Sequence, residues 1–156
     1  MAAVQTEYSL WTRQPEIAVL ETTRELGIAF VAFSPVARGA LGGELGDEPQ
    51  FGARDIRAGM PRFSSEHWPA NRALIARFEA LAERNGLAPG QLALAWVLAQ
   101  GSHVHAIPGT TSIAHLEENF ATLSLDIPAA VLDEAGALIS QETVSGPRYS
   151  PSMQAS

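Results

Sequence analysis

Ile28-Ala29-Phe30-Val31-Ala32-Phe33 is an unbroken apolar run set between Gly27 and Ser34-Pro35. It is too short to be a helix, and it has the character of a parallel strand covered on both faces. Upstream, Ala3 to Leu10 (AVQTEYSL) alternates loosely and reads as a second short strand. Between the two, Gln14-Pro15-Glu16 opens a helix. Proline in the first turn gives up no hydrogen bond, and Glu16 meets the positive helix end. Ile17, Leu20 and Leu26 mark the expected buried side of that helix, and Gly27 stops it. Strand, helix and strand form a βαβ unit, and a right-handed crossover makes the sheet parallel.

Downstream the character changes. Residues 35–69 hold six of the 13 glycines and four of the 10 prolines, a long loop of the kind that is functional or disordered. Helical spacing resumes from Asn71 to Asn85, with Leu74, Ile75, Phe78, Leu81 and Ala82 on one face and Gly86 as terminator. Pro89 starts a further helix whose stretch Gln91 to Gln100 (QLALAWVLAQ) is apolar nearly all round, hence largely buried. A short strand follows at Val104 to Ile107, then a helix from Ser112 to Ala121 and a last one from Pro128 to Ile139. The polar tail, 145–156, is expected to be loose. The order β-α-β-loop-α-α-β-α-α holds only three strands. Alone, these leave both sheet edges unpaired and one face without a covering layer, so the sequence reads as part of something larger.

Composition narrows the function. The 156 residues carry a net charge of −7, are 46% hydrophobic and contain no cysteine, which excludes disulfides and thiolate chemistry. An acidic surface argues against nucleic acid and anionic membranes, and no apolar run reaches a membrane span, so a soluble cytoplasmic protein is expected. All ten basic residues are arginine. The chain therefore has no Schiff-base lysine, no P-loop lysine and no lysine acid–base partner. His103 and His105 point the same way on a strand, but no third ligand stands near them in the sequence, so no metal site is expected.

Four motifs in order carry a resemblance: VQTEYSLWTR (4–13), AFSPVARGALGG (32–43), LALAWVLAQ (92–100) and IPGTTSIAHLEENF (107–120). Together they resemble the aldo-keto reductases, NADP(H)-dependent oxidoreductases built on a (β/α)₈ barrel. The likeness runs from Ala3 to Asp126 and covers about strands six to eight, whereas a full barrel needs about 250 residues. The implied fold is a partial barrel of three βα units over 1–144, with 35–69 as a loop near cofactor or substrate and 145–156 as a flexible tail.

The resemblance implies a cofactor role for each matched position. Gln5 corresponds to the amide that grips the nicotinamide carboxamide, with a donor and an acceptor for the task. Phe33 corresponds to the aromatic stacked on the nicotinamide ring; a buried Gln and a core Phe are the plainer alternatives. Ser34, Pro35, Val36 and Arg38 stand where a strand opens into a loop, with hydroxyl, N–H and guanidinium groups for the pyrophosphate. A simple turn with a solvated Arg is the competing reading. The Gly-rich stretch after them, with Arg62-Phe63 near its end, could fold over the pyrophosphate as a belt or be an ordinary mobile loop.

Gly109, Thr110 and Thr111, ahead of a helix, match the adenosine 2′-phosphate site, although either threonine could equally be a helix cap. His115 stands where the family often has Arg, and Glu118 and Asn119 match residues at the adenine edge. The family's Asp, Tyr, Lys and His catalytic set has no match here, so no catalytic residue is assigned. Three functions follow as expectations: a C-terminal reductase portion inactive alone (a truncated or late-started product), an NADP(H)-responsive regulatory module, and a half-barrel that completes itself with another chain or by self-association.

Overall fold

A computed structural model describes residues 1–150. Strands β1 (Ala3–Glu7), β2 (Ala29–Phe33) and β3 (Val104–Ile107) form one sheet in the order β1-β2-β3, with both pairings parallel. The helices are α1 (Val19–Glu25), α2 (Trp68–Arg84), α3 (Pro89–Leu98), α4 (Ile113–Ala121) and α5 (Ala129–Leu138). None of the described helices is long and apolar enough to cross a membrane.

The two-residue period of the strands divides the sheet into two unlike faces. Phe30, Ala32 and Val104 turn toward the helices and are buried. Tyr8, just beyond β1, is buried with them and meets Phe30 edge-on at 5.5 Å between ring centroids and Trp96 of α3 at 5.6 Å. Ile75, Phe78 and Leu81 of α2, with Ala135 of α5 and Ile139 beyond it, complete this core. The other face carries Gln5, Val31 and His105 in one row and Glu7, Phe33 and Ile107 in the next. Gln5, His105 and Ile107 are exposed, so this face is largely uncovered.

Trp96 is held on two sides. The Arg13 guanidinium lies over its ring at 4.9 Å and donates to the Gly136 carbonyl at 3.0 Å. A Cβ on Gly136 would come within 2.9 Å of the indole Nε1, and the buried ring has little room to retreat. Gly136→Ala is expected to destabilise the fold by about 1–3 kcal/mol, despite the better helix propensity of alanine. Urea unfolding followed by tryptophan fluorescence measures it.

Several local expectations change. The strand expected over 3–10 stops at Glu7, because Ser9 and Thr12 exchange both backbone hydrogen bonds (3.1 Å each) and turn the chain. The turn buries Leu10 and Trp11. The single helix expected after Gln14 is a 3₁₀ turn, Gln14–Ile17, followed by α1, broken where Ala18 leaves helical geometry (φ −155°). Ile17 and Leu26, expected to be buried, are exposed. Two-turn α1 instead faces the sheet through Leu20 and Thr23, whose hydroxyl is satisfied by the Val19 and Leu20 carbonyls at 2.9 Å. Helix α2 begins at Trp68, with Pro69 in its first turn, rather than at Asn71.

The long loop is ordered by its aromatic residues: Phe63 stacks on Trp68 and Phe51 meets Phe63 edge-on, both at 5.5 Å. The segment expected to be loose from 145 is fastened as far as it is described. Ser145 N–H donates to Asn71 Oδ1 at 2.8 Å, Arg62 Nε donates to the Gly146 carbonyl at 3.2 Å, and Tyr149 OH donates to Glu7 at 3.1 Å. The remainder of that tail, 151–156, lies outside the described residues.

Candidate functional site

The loops that follow β2 and β3 open at the same end of the sheet and enclose a cleft of about 790 Å³. From the β2 side, Phe33, Ser34, Pro35, Val36 and Arg38 line it; from the β3 side, Gly109, Thr110, Thr111, His115, Glu118 and Asn119 do. Eleven of the twelve residues singled out from the sequence therefore share one cavity. Gln5 is the exception. It lies on β1 in register with Val31, two residues short of the Glu7–Phe33 row, hence about 7 Å below it along the sheet.

The turn after β2 is strained. Ser34, Ala37 and Arg38 have φ of 52°, 54° and 55°, a left-handed conformation that non-glycine residues adopt rarely. Hydrogen bonds from Ala37 N to Ser34 O (2.9 Å) and from Leu41 N to Val36 O (3.2 Å) hold it, and Ala37 is buried. Backbone strain of this kind collects at ligand sites, where surrounding structure over-determines it. No glycine marks these positions, so the strain is not legible in the residue types.

Each of the three basic side chains lining the cleft is already paired. Arg38 donates to Glu7 Oε2 at 2.9 Å and to Tyr149 OH at 3.1 Å. Arg57 grips Asp55 with Nη2 at 2.7 Å, donates to the Arg38 carbonyl at 3.1 Å and covers the Phe51 ring at 4.5 Å. These guanidinium bonds, with one from the Arg57 backbone N–H, hold the Asp55 carboxyl down to about 2. His115 Nε2 lies 3.2 Å from Glu44 Oε1, so the long loop reaches across the cleft mouth to α4. That contact is made by Glu44. Arg62 and Phe63, the residues expected to form the belt, are buried away from the cleft. Arg62 donates to the Trp11 carbonyl, and burial lowers its guanidinium pKa to about 10, with the charge of Arg148 acting in the same sense and Glu7 opposing.

At the start of α4 the cap is Ser112, whose hydroxyl accepts from His115 N at 3.4 Å. Capping thus does not fall to either threonine: Thr110 accepts from Ser112 N at 3.0 Å, and Thr110 and Thr111 remain exposed. A Cβ at Gly90 of α3 would stand 3.3 Å from Glu118 Oε1, so the Glu118 carboxylate lies against the backbone of α3. Both tyrosine hydroxyls are already hydrogen-bonded. Tyr8 OH donates to Glu16 at 2.8 Å within the core, where burial foremost and the Glu16 charge push the phenol pKa up, and Tyr149 is bound to Glu7. His103 Nε2 lies 3.1 Å from the Leu20 carbonyl, and among the described residues no three His, Asp or Glu groups gather as a metal site.

Sequence reasoning missed the cluster behind Arg38. Glu7 is 3% exposed and receives Arg38, Arg148, Tyr149 and Thr12. Burial alone would raise its pKa, but Arg148 and Arg38 outweigh it and hold the carboxyl below its ordinary range. The available signal was an acidic residue inside a strand motif, a position where Glu is depleted.

A parallel sheet with its cleft at the carboxyl ends of the strands, covered by helices on one face, is the construction of a (β/α) barrel cut open. The model of the "Aldo/keto reductase family" matches residues 1–139, and the chain belongs to that family. It is 38% identical to the aldo-keto reductase str7 of Strobilurus tenacellus over 95% of this chain and 45% of the relative. It is likewise 38% identical to the aldo-keto reductase yakc [NADP(+)] of Schizosaccharomyces pombe over 97% of this chain and 45% of the relative. Among solved structures, the glycerol dehydrogenase of Gluconobacter oxydans superposes with a TM-score of 0.83 at 23% identity, over 97% of this chain and 45% of that one. The chain thus spans a little under half the length of its curated relatives, and its fold is a partial TIM barrel.

Proposed function

We propose that this chain supplies the dinucleotide-binding side of an aldo/keto reductase barrel and none of its proton-donating side. The observation that carries the reading is the convergence of the loops after β2 and β3 on one cleft. The cleft suits the adenosine diphosphate half of a nicotinamide dinucleotide: the Ser34 and Thr110 hydroxyls and the Gly109 and Thr111 backbone N–H groups serve phosphate oxygens. Asn119 serves the adenine edge. Phe33 stacks on the nicotinamide and Gln5, lower on the open face, holds its carboxamide. NADP(H) is the form that the family resemblance implies, and the fission-yeast relative carries NADP(+) in its name. A bound nicotinamide contributes hydride transfer; the chain itself contributes binding and orientation.

The acid–base half of the reaction has no candidate on this chain. There is no lysine to lower a tyrosine pKa; Tyr8 is bound to Glu16 in the core, and Tyr149, which accepts from Arg38, gives its own proton to Glu7. The isolated chain, prepared free of host reductases, is therefore expected to oxidise no NADPH above a buffer control with any of a panel of aldehydes and ketones. Turnover beyond that control would overturn the reading.

A second reading, completion by another polypeptide, rests on a separate observation. Ile17 and Leu26 at the two ends of the segment that packs on β2, and Phe120 and Leu123 beside Ala106 of β3, are exposed apolar residues around an open sheet. A polypeptide carrying the preceding five strands of the barrel would cover both pairs. Co-expression with such a polypeptide, followed by co-purification and NADPH oxidation, tests it.

A further inference from the structure

The charge arrangement at the cleft mouth differs from what a site for a 2′-phosphate requires. That phosphate brings about two further negative charges at neutral pH. The basic side chains available are Arg38, Arg57 and His115, and each already faces a carboxylate: Glu7 at 2.9 Å, Asp55 at 2.7 Å and Glu44 at 3.2 Å respectively. Glu44 and Glu118 line the cavity themselves, so its wall sets two carboxylates against two arginines and one histidine. Glu44 reaches His115 from the long loop while keeping 69% of its side chain exposed, against 45% for His115. Its carboxylate stands at His115, the position where the family resemblance implies an arginine against the adenine and the 2′-phosphate.

From this geometry we infer that Glu44 is a specificity-determining residue, which turns the cleft toward dinucleotides with a free ribose 2′-hydroxyl and against their 2′-phosphorylated counterparts. A carboxylate accepts a hydrogen bond from a 2′-hydroxyl and repels a 2′-phosphate, the same chemistry by which Rossmann domains separate NAD from NADP. His115 cannot offset this alone, because the cation it offers when protonated is already matched by Glu44. The inference rests on the dinucleotide reading above and replaces NADP(H), the form the resemblance implies, with NAD(H).

ADP-ribose and 2′-phospho-ADP-ribose test it, since both use only the half of the pocket that this chain contains. Each is titrated into the full chain by isothermal calorimetry at fixed ionic strength, and into Glu44→Gln and the double variant Glu44→Gln, His115→Arg. ADP-ribose is expected to bind about two- to fivefold more tightly than its 2′-phosphorylated form, the scale of one exposed charge contact. Glu44→Gln should remove that preference, and the double variant should reverse it. Tighter binding of the 2′-phosphorylated compound to the unmodified chain, or an affinity ratio unmoved by Glu44→Gln, would overturn the inference and leave the dinucleotide reading standing. Failure of every form of the chain to bind either compound at millimolar concentration would overturn both. Circular dichroism of each variant separates loss of binding from loss of fold.

Discussion

Glu7→Ala is expected to destabilise the chain by about 3 kcal/mol, the largest single loss anticipated outside the apolar core. The variant leaves Arg38 and Arg148 facing each other across a space from which the neutralising charge has gone. It also strips Tyr149 and Thr12 of their acceptor. The two guanidiniums keep 19% and 27% of their side-chain exposure, which places the cost at the lower end of the range for a broken buried pair. For a chain of this length that loss lowers Tm by roughly 10 °C. Acid supplies an independent check. Because the folded carboxyl is held below its ordinary range, its contribution is complete above the unfolded carboxylate pKa and fades as pH falls through the folded one. The stability gap between the unmodified chain and Glu7→Gln should therefore be widest near neutrality and close in strong acid. A gap that stays constant with pH would show that Glu7 acts through packing and not charge.

The second large effect is expected at Asn71. Its side chain is fully buried and makes three hydrogen bonds, donating to the Arg62 and Ser145 carbonyls at 3.0 and 2.9 Å and accepting from Ser145 N at 2.8 Å. Alanine here orphans two carbonyls and one N–H, at a cost of about 2–3 kcal/mol once the freed segment finds water. Asn71→Asp keeps the acceptor but turns a buried carboxylate oxygen on two carbonyls, so it should cost at least as much as alanine. Limited proteolysis distinguishes this role from generic core packing: Asn71→Ala should expose residues 145–150 to cleavage, whereas Phe78→Ala should lower global stability without selecting that segment.

Much of the fold was legible because its signals are local. The run 28–33 and the strand at 104–107 are bounded by Gly and Pro, and α3 and α5 open at prolines, so their limits fall within a residue or two of those read from sequence. The errors lie where long-range contacts decide. Ile17 and Leu26 are apolar residues of the segment read as one helix, yet nothing among the described residues covers them. The segment after 145 is polar, as a loose tail would be, but its polar groups are the ones that Asn71, Arg62 and Glu7 require. For the cleft, the strand ends followed by Ser-Pro and Pro-Gly-Thr-Thr are the segments that line it. Their charge balance could not be read the same way, because the partners Glu44, Asp55 and Glu7 come from distant parts of the chain or carry no motif of their own.

The meeting of Glu7 with Arg148 and Tyr149 joins positions 141 and 142 residues apart. Ring closure over such a span has a high entropic cost, so this contact belongs after the folding barrier, once the sheet is in place. Its loss should then accelerate unfolding and leave the refolding rate almost untouched. The turn at Arg38 would thus acquire its final shape as one of the last events in folding, and it should be among the first features to loosen when the molecule opens.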